Sequence, residues 1–155
     1  RGRGGGGEPG GRGEGKGGWV TGGGNRVGGG TGRRLNAAGA KRMRHDRESA
    51  GEARLLQAEL NHQRKDSVAL IQADLLDLGK LQSLIDQTVQ TFGKLDALIN
   101  NASSFYQTPV GEITAESCDD LIGTNLRAPL FIAQAAAPAL QNTQGSTLII
   151  TDIHP

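Results

Sequence analysis

The chain has 155 residues, enough for one domain with its own core. A formal net charge of +1 gives no overall field to attract nucleic acid or a membrane surface. The single cysteine, Cys118, excludes a disulfide framework and a cysteine-based metal site, and suits a reducing, cytoplasmic setting. No apolar run is long enough to span a bilayer, and residues 1–18 hold no apolar segment of the kind a signal peptide needs.

Glycine divides the chain. Of 25 glycines, 18 fall in residues 1–32, leaving seven for the other 123 positions. Residues 1–18 are Gly/Arg-rich with no apolar side chain to offset the entropy of ordering, which predicts disorder. Residues 19–155 are the expected folded part.

Trp19-Val20-Thr21 reads as a short strand and Gly22 to Gly28 as a glycine turn. A helix follows from Val27 to Ala38 and ends at Gly39, a good left-handed stop. Gly28, Gly29, Gly30 and Gly32 weaken that helix, each by roughly 1 kcal/mol relative to alanine. The strand due over Ala40–His45 contains Lys41-Arg42-Met43-Arg44, unusual for a strand covered on both faces. Glu48–Leu60 is an amphipathic helix with Leu55, Leu56 and Leu60 on one side.

Signals sharpen beyond this point. Val68–Ile71 is a short apolar strand. Leu81, Leu84, Ile85, Val89 and Phe92 recur at helical spacing, and Gly93 closes the helix. Leu95–Ile99 is another strand, ended by Asn100-Asn101. Thr114 can cap a helix from Ala115, and Pro129 and Pro138 interrupt an apolar helical stretch through Leu140. Cys118 reads as a half-buried helix residue and His62 as a surface residue beside Arg64 and Lys65. Thr147–Thr151 is the last strand, expected to be buried.

Strands alternating with helices imply right-handed crossovers and a parallel α/β sheet, doubly wound and Rossmann-like, with the chain stopping just after its fifth strand. Ligands of such sheets sit beyond the carboxyl ends of the strands. Asn100, Asp152 and the turn after Thr21 share that edge.

Three motifs lie there. A glycine turn between strand and helix offers backbone N–H groups and the helix dipole to a pyrophosphate, although glycine is common enough in this region to match by chance. Asp74, in Ala73-Asp74-Leu75, can accept from an adenine amino group or simply cap a turn. Asn100-Asn101-Ala102-Ser103-Ser104-Phe105-Tyr106 lets the chain pass close to a ligand and offers Phe105 to a flat ring, or is a plain turn. Among the histidines, acids and lone cysteine, no metal-ligand spacing stands out.

Thr21-Gly22, Asp74, Asn100-Asn101-Ala102 and Gly123-Thr124-Asn125 occur in an order and spacing that resemble the short-chain dehydrogenase/reductase family over residues 19–155. The Asn100–Tyr106 run looks like the pteridine reductase branch, since most relatives have glycine where Ser103 stands. Asp152-Ile153-His154 points the same way, with aspartate where the wider family has a catalytic serine. His45–Ala50 is similar to that branch's segment for the adenosine 2′-phosphate.

The resemblance implies NADPH as cofactor and a pterin or folate as the small-molecule substrate. Thr21, Gly22, Val27 and Gly28 would hold the pyrophosphate. Arg26, Arg47 and Ser49 would suit the extra phosphate. Asp74 and Leu75 would meet adenine, and Asn101 and Ala102 would line the ribose and nicotinamide side. Ser103 would face cofactor and pterin, and Phe105 would stack on the pterin. Asn125 would kink the long helix and help hold a proton-relay water, and Asp152 would assist proton delivery. Full-length members are expected to be homotetramers with no membrane association.

The family's Tyr-x3-Lys pair, expected shortly after Asp152, is not among these residues, and Tyr106 is the only tyrosine. The 155 residues alone are therefore expected to show no turnover. Two other readings remain: a family member acting on a different carbonyl such as a 3-oxoacyl thioester, and a non-catalytic chain whose Arg/Gly tail binds RNA. Against the latter, the tail has four Arg or Lys, two Glu and no aromatic to stack on a base.

Overall fold

A computed structural model describes residues 15, 17–20, 26–46 and 50–150. Its strands are β1 (Gly17–Val20), β2 (Lys41–Asp46), β3 (Val68–Gln72), β4 (Ala97–Asn100) and β5 (Ser146–Ile149). The helices are α1 (Arg26–Ala37), α2 (Ala50–Gln63), α3 (Leu81–Phe92), α4 (Ala115–Ile122) and α5 (Ala128–Thr143). The strands form one sheet in the order β3-β2-β1-β4-β5, every pairing parallel. The expected doubly wound α/β sheet is present. Chain order runs outward from β1 to β3, then crosses to β4 and β5, so right-handed crossovers put α1 and α2 on one face and α3 and α5 on the other.

The main core lies under α3 and α5. Leu81, Leu84, Ile85, Leu95, Leu98, Ile132, Ala136 and Leu140 are buried there with Met43 and Leu75. α3 stops where the sequence predicts, at Gly93 with φ 81°, a left-handed conformation glycine adopts without a Cβ penalty. The smaller cluster on the other face is Leu56, Leu60 and Val68.

Several expectations need correcting. β1 begins at Gly17, not Trp19, so the end of the segment expected to be disordered is in the sheet. Gly17 donates from its N–H to Asp96 Oδ2 at 2.6 Å and accepts at its carbonyl from the Asp96 N–H at 2.7 Å. A Cβ on Gly17 would lie 2.7 Å from the Lys94 carbonyl oxygen, so only glycine permits this approach. In β2, Arg42 is buried, and the space for it comes from α1, because a Cβ at Gly32 would overlap its guanidinium. Leu55 is exposed; α2 buries Ala53, Leu56 and Leu60 instead, at i, i+3 and i+7. Cys118 is exposed.

Pro138 does not end α5, which continues to Thr143. Proline removes the donor to the Gln134 carbonyl, but both residues are exposed, where water can serve that oxygen. Pro129 lies in the first turn of α5, where proline is tolerated. β5 starts one residue and ends two residues earlier than expected, and it is exposed along its length rather than buried. Among the described residues it pairs only with β4, and Leu148 and Ile149 stay half-accessible.

Candidate cofactor and substrate site

The register brings the ends of β1, β2 and β4 to one edge. Val20 lies opposite Arg44 and Ile99, and Asn100 opposite Ile149. Asn100 is buried at the end of β4; its carbonyl accepts from the Ile150 N–H at 2.8 Å, and its Nδ2 donates to the Pro129 carbonyl at 3.4 Å. One asparagine thus ties β4 to its neighbouring strand and to the start of α5.

The loop after β4 is held by a second asparagine. Asn125 lies in a single π-helical turn, Gly123–Arg127, between α4 and α5. Its Oδ1 accepts from the Ser104 N–H at 3.0 Å and its Nδ2 donates to the Ser104 carbonyl at 2.8 Å. The amide therefore pairs with one residue's backbone as a neighbouring strand would. The wide turn has a local cause: Pro129 has no N–H to offer the Asn125 carbonyl four residues back, which unsettles the ordinary ladder there.

With Ser104 pinned, its neighbours divide. Ala102 packs against the main core, while Ser103 is exposed and Phe105 is 67% accessible. Tyr106 turns back to α4, donating from its hydroxyl to the Ser117 carbonyl at 3.4 Å. Partial burial, and then the adjacent Asp120 carboxylate, hold its phenol above the usual value. α4 begins on a capping box: Thr114 Oγ1 accepts from the Ser117 N–H at 3.2 Å, and Ser117 Oγ accepts from the Thr114 N–H at 3.1 Å. The backbone N–H of Glu116, and then the Thr114 hydroxyl, keep the Glu116 carboxyl below its ordinary range.

At the end of β3, Asp74 is exposed and its Oδ1 accepts from the Leu76 N–H at 3.0 Å. It therefore caps a turn, with acceptor capacity left over. The Leu75 side chain is in the core, so any ligand contact there falls to its backbone. α1 starts at Arg26, which makes the backbone of Arg26, Val27 and Gly28 its first turn, with N–H groups that have no partner within the helix. Gly28 carries no side chain, and unpaired N–H groups at a helix start suit a pyrophosphate. Thr21, Gly22, Arg47, Ser49 and Asp152 lie outside the described residues.

The structure thus gathers Asn101, Ala102, Ser103, Phe105 and Asn125 about one loop and sets Asp74 at the same sheet edge. The anchoring roles of Asn100, Ser104 and Tyr106 escape sequence reading, because their partners (the Pro129 carbonyl, the Asn125 amide and the Ser117 carbonyl) lie further along the chain. Surface grooves of about 430 and 370 Å³ flank α5, and no candidate site residue lines either. Among the described residues no group of three or more His, Cys, Asp or Glu could hold a metal ion, and no helix is long and apolar enough to cross a membrane.

A family model described as short chain dehydrogenase matches residues 18–152. Pteridine reductase 1 of Leishmania tarentolae is 31% identical over 156 aligned positions, covering 81% of this chain and 54% of that protein. A hydroxynaphthalene reductase of Aspergillus fumigatus is 33% identical over 122, covering 79% of this chain and 44% of that one. The solved structure of a short chain dehydrogenase from Burkholderia cenocepacia, in complex with NADP, superposes with a TM-score of 0.78 at 32% identity, covering 82% of this chain and 51% of that one. The chain spans about half the length of these proteins.

Proposed function

We propose that this chain, which belongs to the short-chain dehydrogenase family, supplies the cofactor-binding side and part of the substrate wall of an NADPH-dependent pterin reductase. The observation that carries the reading is the loop after β4. Asn125 fixes the Ser104 backbone, and Phe105 is displayed beside it at the carboxyl edge of the sheet.

In this reading the first-turn N–H groups of α1, with Thr21 and Gly22 before them, take the pyrophosphate. Arg47 and Ser49, just after β2, take the 2′-phosphate, where a guanidinium's paired donors suit a dianion. Asp74 accepts from adenine and Asn101 and Ala102 line the cofactor's inner side. Ser103 hydrogen-bonds at the junction of cofactor and substrate, and Phe105 stacks on a flat heterocycle. Asp152 orients a proton donor. NADPH, when bound, supplies the hydride. NADP in the Burkholderia structure and the reductase from Leishmania support the cofactor and the substrate class respectively.

A carbonyl substrate is the second reading, favoured by the similarity to the hydroxynaphthalene reductase. Binding separates the two. The purified chain is expected to bind NADPH more tightly than NADH, with Arg47→Ala removing the preference. Its NADPH complex is expected to quench the fluorescence of biopterin or folate, and Phe105→Ala to weaken that binding by about three- to tenfold, the worth of an aromatic stack. Equal affinity for the two nucleotides sinks the cofactor assignment. Pterin binding indifferent to Phe105→Ala, alongside saturable binding of a hydroxynaphthalene or a 3-oxoacyl thioester, gives the site to the carbonyl reading.

A further inference from the structure

We propose that Tyr106 is a positioning residue that latches the loop after β4 onto α4 and thereby fixes how Phe105 is presented. The inference rests on the pterin reading only for what Phe105 meets; the latch itself belongs to this chain's own contacts.

Phe105 is flanked by two anchors of different kinds. On its amino side, Asn125 takes both backbone groups of Ser104. On its carboxyl side, the Tyr106 hydroxyl reaches the Ser117 carbonyl and lies beside the Asp120 carboxylate. The two anchors hold the residues on either side of Phe105. Together they fix the φ and ψ that set the direction of Phe105, which remains 67% accessible. A displayed aromatic stacks well only if its ordering cost is met beforehand, and two anchors one residue away on each side meet it.

The second anchor is well founded. Ser117, whose carbonyl receives the tyrosine, is also the capping-box residue of α4, so the hydroxyl lands on the capped first turn of that helix. Ser117 O accepts the phenol's one proton and the Asp120 carboxylate lies beside it, so both groups that meet the hydroxyl belong to one helix face. Ser117 and Asp120 are three apart, which puts them side by side on α4.

The test is hydrogen exchange on the full 155-residue chain, comparing Tyr106→Phe with the parent. About fivefold faster exchange of the amides of residues 104–106 is expected, the worth of one hydrogen bond, with α3 and β4 unchanged. The pterin affinity of the NADPH complex should fall while NADPH affinity holds. Because Tyr106 is the only tyrosine, phenolate absorbance reads it alone. Asp120→Asn should bring its ionisation midpoint down towards the ordinary value of about 10. Unchanged exchange in Tyr106→Phe, or a phenolate midpoint indifferent to Asp120→Asn, overturns the latch. Should Tyr106→Phe lose protection throughout, exchange of residues 104–106 in Asp120→Asn decides instead. A parent chain that binds NADPH and no pterin defeats the proposed substrate, while the exchange result still decides the latch.

Discussion

The two faces of the sheet are held by different chemistry. Under α3 and α5 the contacts are hydrocarbon: Leu98, Leu95, Ile132 and Ala136 are at or near zero exposure, and polar groups are few. Around α1, β2 and α2 hydrocarbon is scarcer among the described side chains, and side chains bonded to backbone supplement it. Arg64 donates from Nη1 to the carbonyls of Asn36 and Ala40, at 2.8 and 2.9 Å, and from Nη2 to that of Gly39 at 2.7 Å. Asn61 Oδ1 accepts from the N–H groups of Ser67 and Val68, and its Nδ2 donates to the Val68 carbonyl at 2.9 Å. Burial of apolar area is non-directional and tolerant, whereas these bonds work at one geometry only. The difference teaches that a parallel sheet can be completed on a glycine-rich side when long polar side chains reach the carbonyls that end its helices.

Deleting hydrocarbon should therefore cost most. Leu98→Ala, at the centre of β4, is expected to lower unfolding stability by about 2–5 kcal/mol, since the cavity adds to the lost transfer energy. Urea unfolding followed by circular dichroism checks it; a midpoint like the parent's would mean that α3 and α5 do not clamp the sheet as described. Arg64→Ala should come next, at about 1.5–3 kcal/mol, the range for hydrogen bonds made by a charged group. Arg64→Lys should recover only part of that, because an ammonium lacks the planar fork that reaches carbonyls on both sides. Full recovery by lysine would show that charge near the end of α1, not the fork, is what matters.

The same contrast decides what could be read in advance. α3, its stop at Gly93 and the cap at Thr114 follow from periodicity and local chemistry, and all three are where the sequence puts them. β3 and β4 are short apolar runs between helices, and they too are found. By contrast, Arg64 reads as a solvated charge at a helix end, and Gly17 as the tail of a low-complexity segment. Each acquires its role from a partner far along the chain: the carbonyls after α1 for one, Asp96 for the other. Arg42 is legible as an oddity in β2 but not as a buried residue, because the room for it comes from Gly32 on another element. At the candidate site, the Asn100–Tyr106 run and Asn125 are recognisable in sequence. Their mutual bonds, and the turn of Tyr106 onto α4, need the fold to bring residues 104 and 125 together.

The smallest effect belongs to the ion pair on the glycine-rich side, and it tests whether charge as such contributes there. Arg33 binds Glu59 in a two-point fork, Nε to Oε1 at 3.0 Å and Nη2 to Oε2 at 2.9 Å, joining α1 to α2. The hydrogen bond from Arg33, more than simple attraction, holds the Glu59 carboxyl below its ordinary range. A carboxylate whose folded pKa is depressed contributes stability above its unfolded value and loses that contribution as pH falls through the lowered one. The pair should therefore act at neutral pH and fade in mild acid. Both side chains are about half exposed, at 56% and 42%, so water and salt screen them. A double-mutant cycle with Arg33→Ala and Glu59→Ala is expected to show a coupling near the detection limit, weaker still at high salt and gone at acid pH. A coupling as large as the loss in Arg64→Ala would mean that charge, and not the bonds to backbone, holds the two helices of this face together.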